Sequence, residues 1–170
     1  MEIRVSLRFG CEMTIMRQYV KTVTAFSAST RLNNLADGSA VCLGQVDNST
    51  GDYPNAKIQL TINLSTANNP GGQVEIYFVG SLSGTTYTDN IIVGATGNQA
   101  SKLHLAPRIA ALKADADMNS TDITWVSKDL RGLLGSDLPS YWSIVVKNVS
   151  GGAFEASGHD ANYSLISYQN

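Results

Sequence analysis

Residues 57–64 read KIQLTINL, in which the apolar residues Ile58, Leu60, Ile62 and Leu64 alternate with polar residues at every second position. Successive side chains of a β-strand point to opposite faces of its sheet, so this pattern predicts a strand with one buried and one solvated face. The same alternation recurs in Gln73–Phe78, Trp142–Lys147 and Ala161–Tyr168. These segments predict a β-rich fold.

The sequence between these segments favours turns over helices. Pairs and runs such as Asp37-Gly38, Ser83-Gly84 and Ser150-Gly151-Gly152 are typical of tight turns. Weaker strand candidates are Ala40–Val46, Ile91–Val93, Leu103–Leu112 and Asp122–Val126, and one short helix is expected near Asp129–Gly135. About eight short strands at this spacing predict a single all-β domain, a jelly-roll-like β-sandwich over residues 21–170.

Composition excludes several classes of function. Only 15% of the 170 residues are charged, and the net charge is −2 with no basic run, so neither nucleic acid nor an anionic membrane is an expected partner. No stretch approaches the ~20 apolar residues of a membrane span, and charged residues interrupt the N-terminus where a secretory signal would be apolar. We therefore expect a protein that folds in a cytoplasm with Cys11 and Cys42 as free thiols.

The N-terminal residues 1–20 form a separate segment, an arm or an added strand. Ile3, Val5, Leu7 and Phe9 alternate with polar residues and are the predicted protein-interface residues. Burying four such side chains yields roughly 6–12 kcal/mol, whereas ordering eight residues costs about 8–16 kcal/mol. The segment is thus ordered only where a rigid sheet edge also binds its backbone, in this chain or a neighbour. A third interpretation is that Met13 is the natural start.

Catalytic and metal-binding constellations are sparse, and we predict no enzyme, no cofactor and no metal. The two histidines are His104, in an apolar segment predicted as strand, and His159, predicted to form a surface pair with Asp160. The nearest approach to a metal motif is the calcium-loop-like set Asp115, Asp117 and Asp122. Ser120 stands there in place of the turn glycine, and Val126 in place of the bidentate glutamate. We prefer the plainer interpretation of these aspartates, a solvated connection between strands, to a calcium site.

Aromatic residues near turns raise an alternative, because such side chains can stack on sugars. Tyr53, Tyr87 and Tyr141 are the candidates for this role, whereas Trp142 is in phase with Ile144 and Val146 and is predicted in the core together with Trp125.

Several turn-and-strand signatures resemble one family. They are LNNLADGSA (32–40), VDNST (46–50), the strand 57–64, GQVEIY (72–77), SGTTY (83–87), LPSYWSIVVKN (138–148) and SGGA (150–153). Over residues 25–168 the chain resembles small virion structural proteins of tailed bacteriophages. The resemblance implies a jelly-roll-like capsid decoration or cement protein without catalytic residues.

The expected partner is then the major capsid protein, with a homo-oligomer, such as a trimer, on the virion surface after synthesis in the bacterial cytoplasm. The alternative is a tail or head-fibre module that contacts host-surface carbohydrate.

Overall fold

The chain folds into two antiparallel β-sheets that pack face to face. A computed structural model describes residues 17–51, 53–65, 71–93, 97–114 and 122–169. Within these ranges there are ten strands, three short 3-10 helices and one α-helix. The predicted all-β sandwich is confirmed.

The elements follow one another without a break in organisation. The strands are β1 (Arg17–Val20), β2 (Thr24–Ala25), β3 (Ala40–Cys42), β4 (Val46–Asp47), β5 (Asn55–Asn63), β6 (Gly72–Ser81), β7 (Arg108–Ala114), β8 (Asp122–Val126), β9 (Tyr141–Val149) and β10 (Asp160–Gln169). The 3-10 helices are Ser29–Leu32, Thr88–Asn90 and Ala100–Lys102, and the α-helix α1 is Leu130–Leu134.

The first sheet has the order β1-β10-β5-β8, and the second has the order β3-β9-β6-β7. Strand β2 also pairs with β10, beside β1, and β4 also pairs with β9, beside β3. Each of these two pairs of short strands shares one edge position. The ten strands therefore fill eight positions, which is the number that the sequence predicts.

The four clearest alternating segments all form strands, and each places the apolar residues of one face in the core between the sheets. Ile58, Leu60 and Ile62 of β5 are buried, while Lys57 and Gln59 are exposed. Among the weaker candidates, Ala40–Val46 divides into β3 and β4, Asp122–Val126 forms β8, and Leu103–Leu112 contributes only its second half, to β7.

The residues buried between the two sheets form the main core. Trp142 belongs to it and has no exposed surface, as predicted. Its ring contacts Phe26, Phe78 and Tyr163 at centroid distances of 6.0, 5.9 and 5.6 Å. Trp125 on the edge strand β8 is only partly buried against this core. The aromatic side chains thus join both sheets at the middle of the sandwich.

A second core covers the outer face of the second sheet. The described residues of the long connection between β6 and β7, 82–93 and 97–107, lie over that face and are here called the cover segment. In this second core, Tyr87, Ile91 and Ala106 of the cover segment pack on four residues of the sheet, which are Ala40, Cys42, Val79 and Val145. The predicted strand Ile91–Val93 is therefore wrong, because Ile91 belongs to an irregular segment and is buried in this second core.

The predicted helix near Asp129–Gly135 is confirmed as α1. The Asp129 side chain caps it by accepting the N–H of Gly132, and Gly135 ends it in the left-handed conformation at φ 70°. A left-handed residue at this position satisfies the last carbonyl groups, here by donation from Gly135 N–H to Arg131 O.

Candidate functional site

Most of the predicted site residues lie outside the described ranges. Ile3, Val5, Leu7 and Phe9 precede residue 17, and Asp115 and Asp117 fall between β7 and β8. Asp122 is described, as the exposed first residue of β8. In the described part of the chain, no three histidine, cysteine or acidic side chains lie close enough together to hold a metal ion. The arm and the calcium-like loop stay predictions.

Both histidines differ from their predicted settings. His104 lies in an exposed bend rather than in a strand, because β7 begins only at Arg108. His159 is partly buried and binds backbone: its Nδ1 accepts the N–H of Asn63 (3.1 Å), and its Nε2 donates to the carbonyl oxygen of Glu155 (2.9 Å). Both ring nitrogens are thus occupied in joining the end of β5 to the loop before β10, so the predicted surface pair with Asp160 is wrong.

The tyrosines proposed for sugar stacking are largely occupied within the protein. Tyr87 is only 4% exposed and packs in the second core, where burial raises its pKa to about 12. Tyr141 packs partly against the same core, and Tyr53 packs against the main core beneath Lys21, whose Nζ lies 4.5 Å from the ring centroid. A buried ring offers no face to a ligand, so Tyr87 does not fit this role.

An open depression lies at one end of the sandwich. It has a volume of about 740 Å³. Its walls come from the end of β6, the cover segment, α1 and the loop before β9, and they are formed by Phe78, Gly80, Ser81, Leu82, Ser83, Thr86, Thr88, Pro107, Leu134, Ser136, Asp137 and Pro139. Apolar side chains therefore share this surface with hydroxyl groups and one carboxylate.

Two close contacts shape the depression. A Cβ atom added at Gly80 would lie 2.8 Å from Pro139 Cγ, so glycine is needed for the loop before β9 to pack against β6. On the rim, Asp137 Oδ1 accepts an ion-paired hydrogen bond from Arg131 Nε at 2.8 Å. The only acidic side chain that lines the depression is thus paired with a cation.

Two leucines project from the cover segment into solvent. Leu82, on the wall of the depression, is 84% exposed, and Leu105, two residues before Pro107, is 80% exposed. Single exposed apolar residues are common on protein surfaces. These two leucines can act as anchors for a binding partner only if the backbone that carries them is fixed.

Asp89 fixes the backbone under Leu105. Its Oδ2 accepts the backbone N–H groups of His104 (2.9 Å), Leu105 (2.7 Å) and Ala106 (2.7 Å). Desolvation acts to raise the pKa of Asp89, but these three donors outweigh it and hold the pKa below its usual range. Asp89 itself has φ 59°, a left-handed conformation that aspartate tolerates better than most residues.

The cover segment is also fixed at its far side. Gln99 N–H donates to the carbonyl oxygen of Ala40 (2.8 Å), and Asn98 Oδ1 accepts the N–H of Ala40 (2.9 Å). These bonds attach the segment to the edge strand β3, so it crosses the sheet and is held at both sides. Together with the second core they make the segment a rigid support for Leu105.

This arrangement suits binding better than catalysis. The depression contains serine and threonine hydroxyls. His159, however, lies at Asn63, where β5 ends, and His104 lies on an exposed bend. A hydroxyl nucleophile needs a base within hydrogen-bond reach, and neither histidine lines this surface. Sequence reasoning missed both leucines for different reasons: Leu82 stands alone beside the Ser83-Gly84 turn, whereas Leu105 falls within Leu103–Leu112, which is predicted as a strand.

No protein-family model matches the chain, and no curated protein matches it. Within the described residues, no helix is long and apolar enough to cross a membrane.

Proposed function

We propose that this protein is a capsid decoration or cement protein of a tailed bacteriophage, which binds the outer surface of the major capsid protein and stabilises the shell through many weak contacts. The observation that carries the proposal is the exposed Leu105 side chain on a backbone that Asp89 holds by three hydrogen bonds. An apolar anchor that is already ordered loses little entropy on binding, which favours a protein partner.

The connectivity supports this proposal. When β1 with β2 and β3 with β4 each count as one position, the eight positions pair as first with eighth, second with seventh, third with sixth and fourth with fifth. This nested pairing is what a jelly roll, with its two Greek keys, requires. We infer a jelly-roll topology, which the resemblance to virion proteins also implies.

Weak individual contacts suffice for such a role. A shell presents the same surface many times, so copies that also touch their neighbours gain avidity from the lattice. One rigid apolar anchor near a hydroxyl-rich depression, whose Asp137 carboxylate is paired with Arg131, fits a contact of modest affinity. No catalytic step belongs to this proposal.

Reconstitution tests the proposal directly. Purified protein added to particles that lack it should bind over the whole shell and raise the temperature at which the particles rupture. Leu105→Glu should abolish binding without lowering the melting temperature of the isolated protein, because the side chain is 80% exposed. Val23→Glu, at another exposed apolar residue in the connection between β1 and β2 (64% exposed), is the matched control and should still bind. Binding confined to the tail or one vertex would overturn the proposal.

A further inference from the structure

Strand β8 lies at an edge of the first sheet, where its outer side has no partner strand among the described residues. Ser127 N–H donates to Ile58 O at 2.9 Å, which shows that Ser127 faces β5. Backbone groups alternate between the two sides of an antiparallel strand, so Trp125 and Ile123 also face β5. The N–H and C=O groups of Asp122, Thr124 and Val126 therefore point to the free side.

This edge is also incompletely buried. Trp125 and Ile123 pack against the main core but stay partly exposed, and Val126 is 57% exposed. An open strand edge with apolar neighbours is a template for pairing with another strand. It lies on the side of the first sheet opposite to β1.

We propose that β8 pairs antiparallel with β8 of a second copy of this chain, so that the first sheets of two molecules join into one continuous sheet. This inference is independent of the proposed function. A two-fold axis through the strand pair places each residue opposite a residue of the other copy, and the choice of register decides which side chains meet.

Charge complementarity selects the register. With the two Trp125 residues directly opposite each other, Asp122 of each copy lies level with Lys128 of the other, which is exposed in the bend two residues beyond the end of β8, so the two charges can form an ion pair on each side of the axis. Moving the axis by one residue to Thr124 instead places Asp122 opposite Val126. Only the Trp125-centred register joins opposite charges, and it also stacks the two half-buried indole rings at the centre.

The outward backbone groups fit this register as well. Thr124 of one copy lies opposite Val126 of the other, and both carry N–H and C=O groups that point outward, so they can exchange two hydrogen bonds on each side of the axis. Trp125 faces its own β5 and lies opposite its symmetry mate as a non-hydrogen-bonded pair, which brings their side chains closest.

Sedimentation equilibrium of the full chain tests the inference. The native chain should be a dimer, and Asp122→Lys and Lys128→Asp should each weaken dimerisation about tenfold or more, since each replaces two attractions with two repulsions. The double variant should restore dimerisation to within about threefold of the native value. Asp160→Lys makes the same charge change on the interior strand β10 and should leave dimerisation unchanged.

A backbone variant provides a second measurement. Thr124→Pro removes an N–H group that points away from β5, so the chain should fold, with unchanged far-ultraviolet circular dichroism, and be monomeric. A native chain that stays monomeric at about millimolar concentration overturns the inference. So does a double variant without rescue, or a dimer that disappears when residues 1–12 are removed, because the N-terminal segment would then be the occupant of the edge.

Discussion

Replacing Asn148 with aspartate should destabilise the protein strongly, although the two side chains have nearly the same shape. Asn148 is fully buried in β9. Its Nδ2 donates to the carbonyl oxygens of Leu35 (2.8 Å) and Gly152 (2.7 Å), and its Oδ1 accepts from the N–H (2.9 Å) and hydroxyl (2.7 Å) of Ser150. All four bonds use the amide in one orientation. An aspartate can accept the two bonds from Ser150 but cannot make both donations.

The magnitude follows from these bonds. A protonated aspartic acid can donate to one carbonyl group and not to both, so one hydrogen bond is lost at a cost of about 1 kcal/mol. An ionised aspartate would face two carbonyl oxygens without solvent, which raises the pKa of the new carboxyl group in the folded state. Each tenfold weakening of the ionisation of this group costs about 1.4 kcal/mol at neutral pH, so that a weakening of about a hundredfold to a thousandfold brings the total loss to about 4–5 kcal/mol.

The sign of the pH dependence is specific to this cause. Because the pKa of the new carboxyl group is higher in the folded than in the unfolded state, the destabilisation of the variant is largest at pH 7. It shrinks as the pH falls towards about 4, where aspartate in the unfolded chain also becomes protonated. A simple packing defect would show no such change with pH.

Urea denaturation at pH 7 and pH 4 measures both quantities, and the melting temperature should fall by about 2–4 °C for each kcal/mol lost. Asn33→Asp, at an exposed position after the first 3-10 helix, is the matched control and should cost little at either pH. If Asn148→Asp resembles this control at pH 7, or if its cost does not decrease at pH 4, the role assigned to the Asn148 amide is refuted.

Three further predictions concern the cover segment and the second sheet. Asp89→Ala should accelerate hydrogen exchange at the amides of Leu105 and its neighbours with little effect on β5, as amide-resolved exchange can measure. In the native chain the same bonds are lost as the pH falls below about 4, since the folded pKa of Asp89 is depressed and its contribution exists only where the carboxylate is ionised. Gly80→Val should lower the melting temperature by bringing its side chain into Pro139, whereas Gly97→Val, at a position with no neighbouring atom within 4 Å of an added Cβ, should have a smaller effect. Cys42 is buried, and burial raises the pKa of its thiol. Alkylation of Cys42 at pH 8 should therefore be slow in the folded protein and fast in urea. Comparable rates in both conditions would contradict its position.

Local sequence is sufficient to predict the strands whose two faces meet different surroundings. The alternation in residues 57–64 is local information, because a strand with one dry face must place an apolar residue at every second position. The same reasoning predicts Trp142 in the core, and the sequence also predicts the short helix near Asp129–Gly135 that α1 forms.

Which segment lies against the outer face of the second sheet depends on tertiary contacts. Ile91 and Tyr87 are buried because the cover segment folds over the second sheet, and nothing in an apolar triplet or a tyrosine near a turn distinguishes that burial from a strand or an exposed ring. His159 likewise binds the backbone of Asn63, which is distant in sequence. Contacts of this kind depend on which segments come together, and that depends on strand order, which local periodicity does not encode.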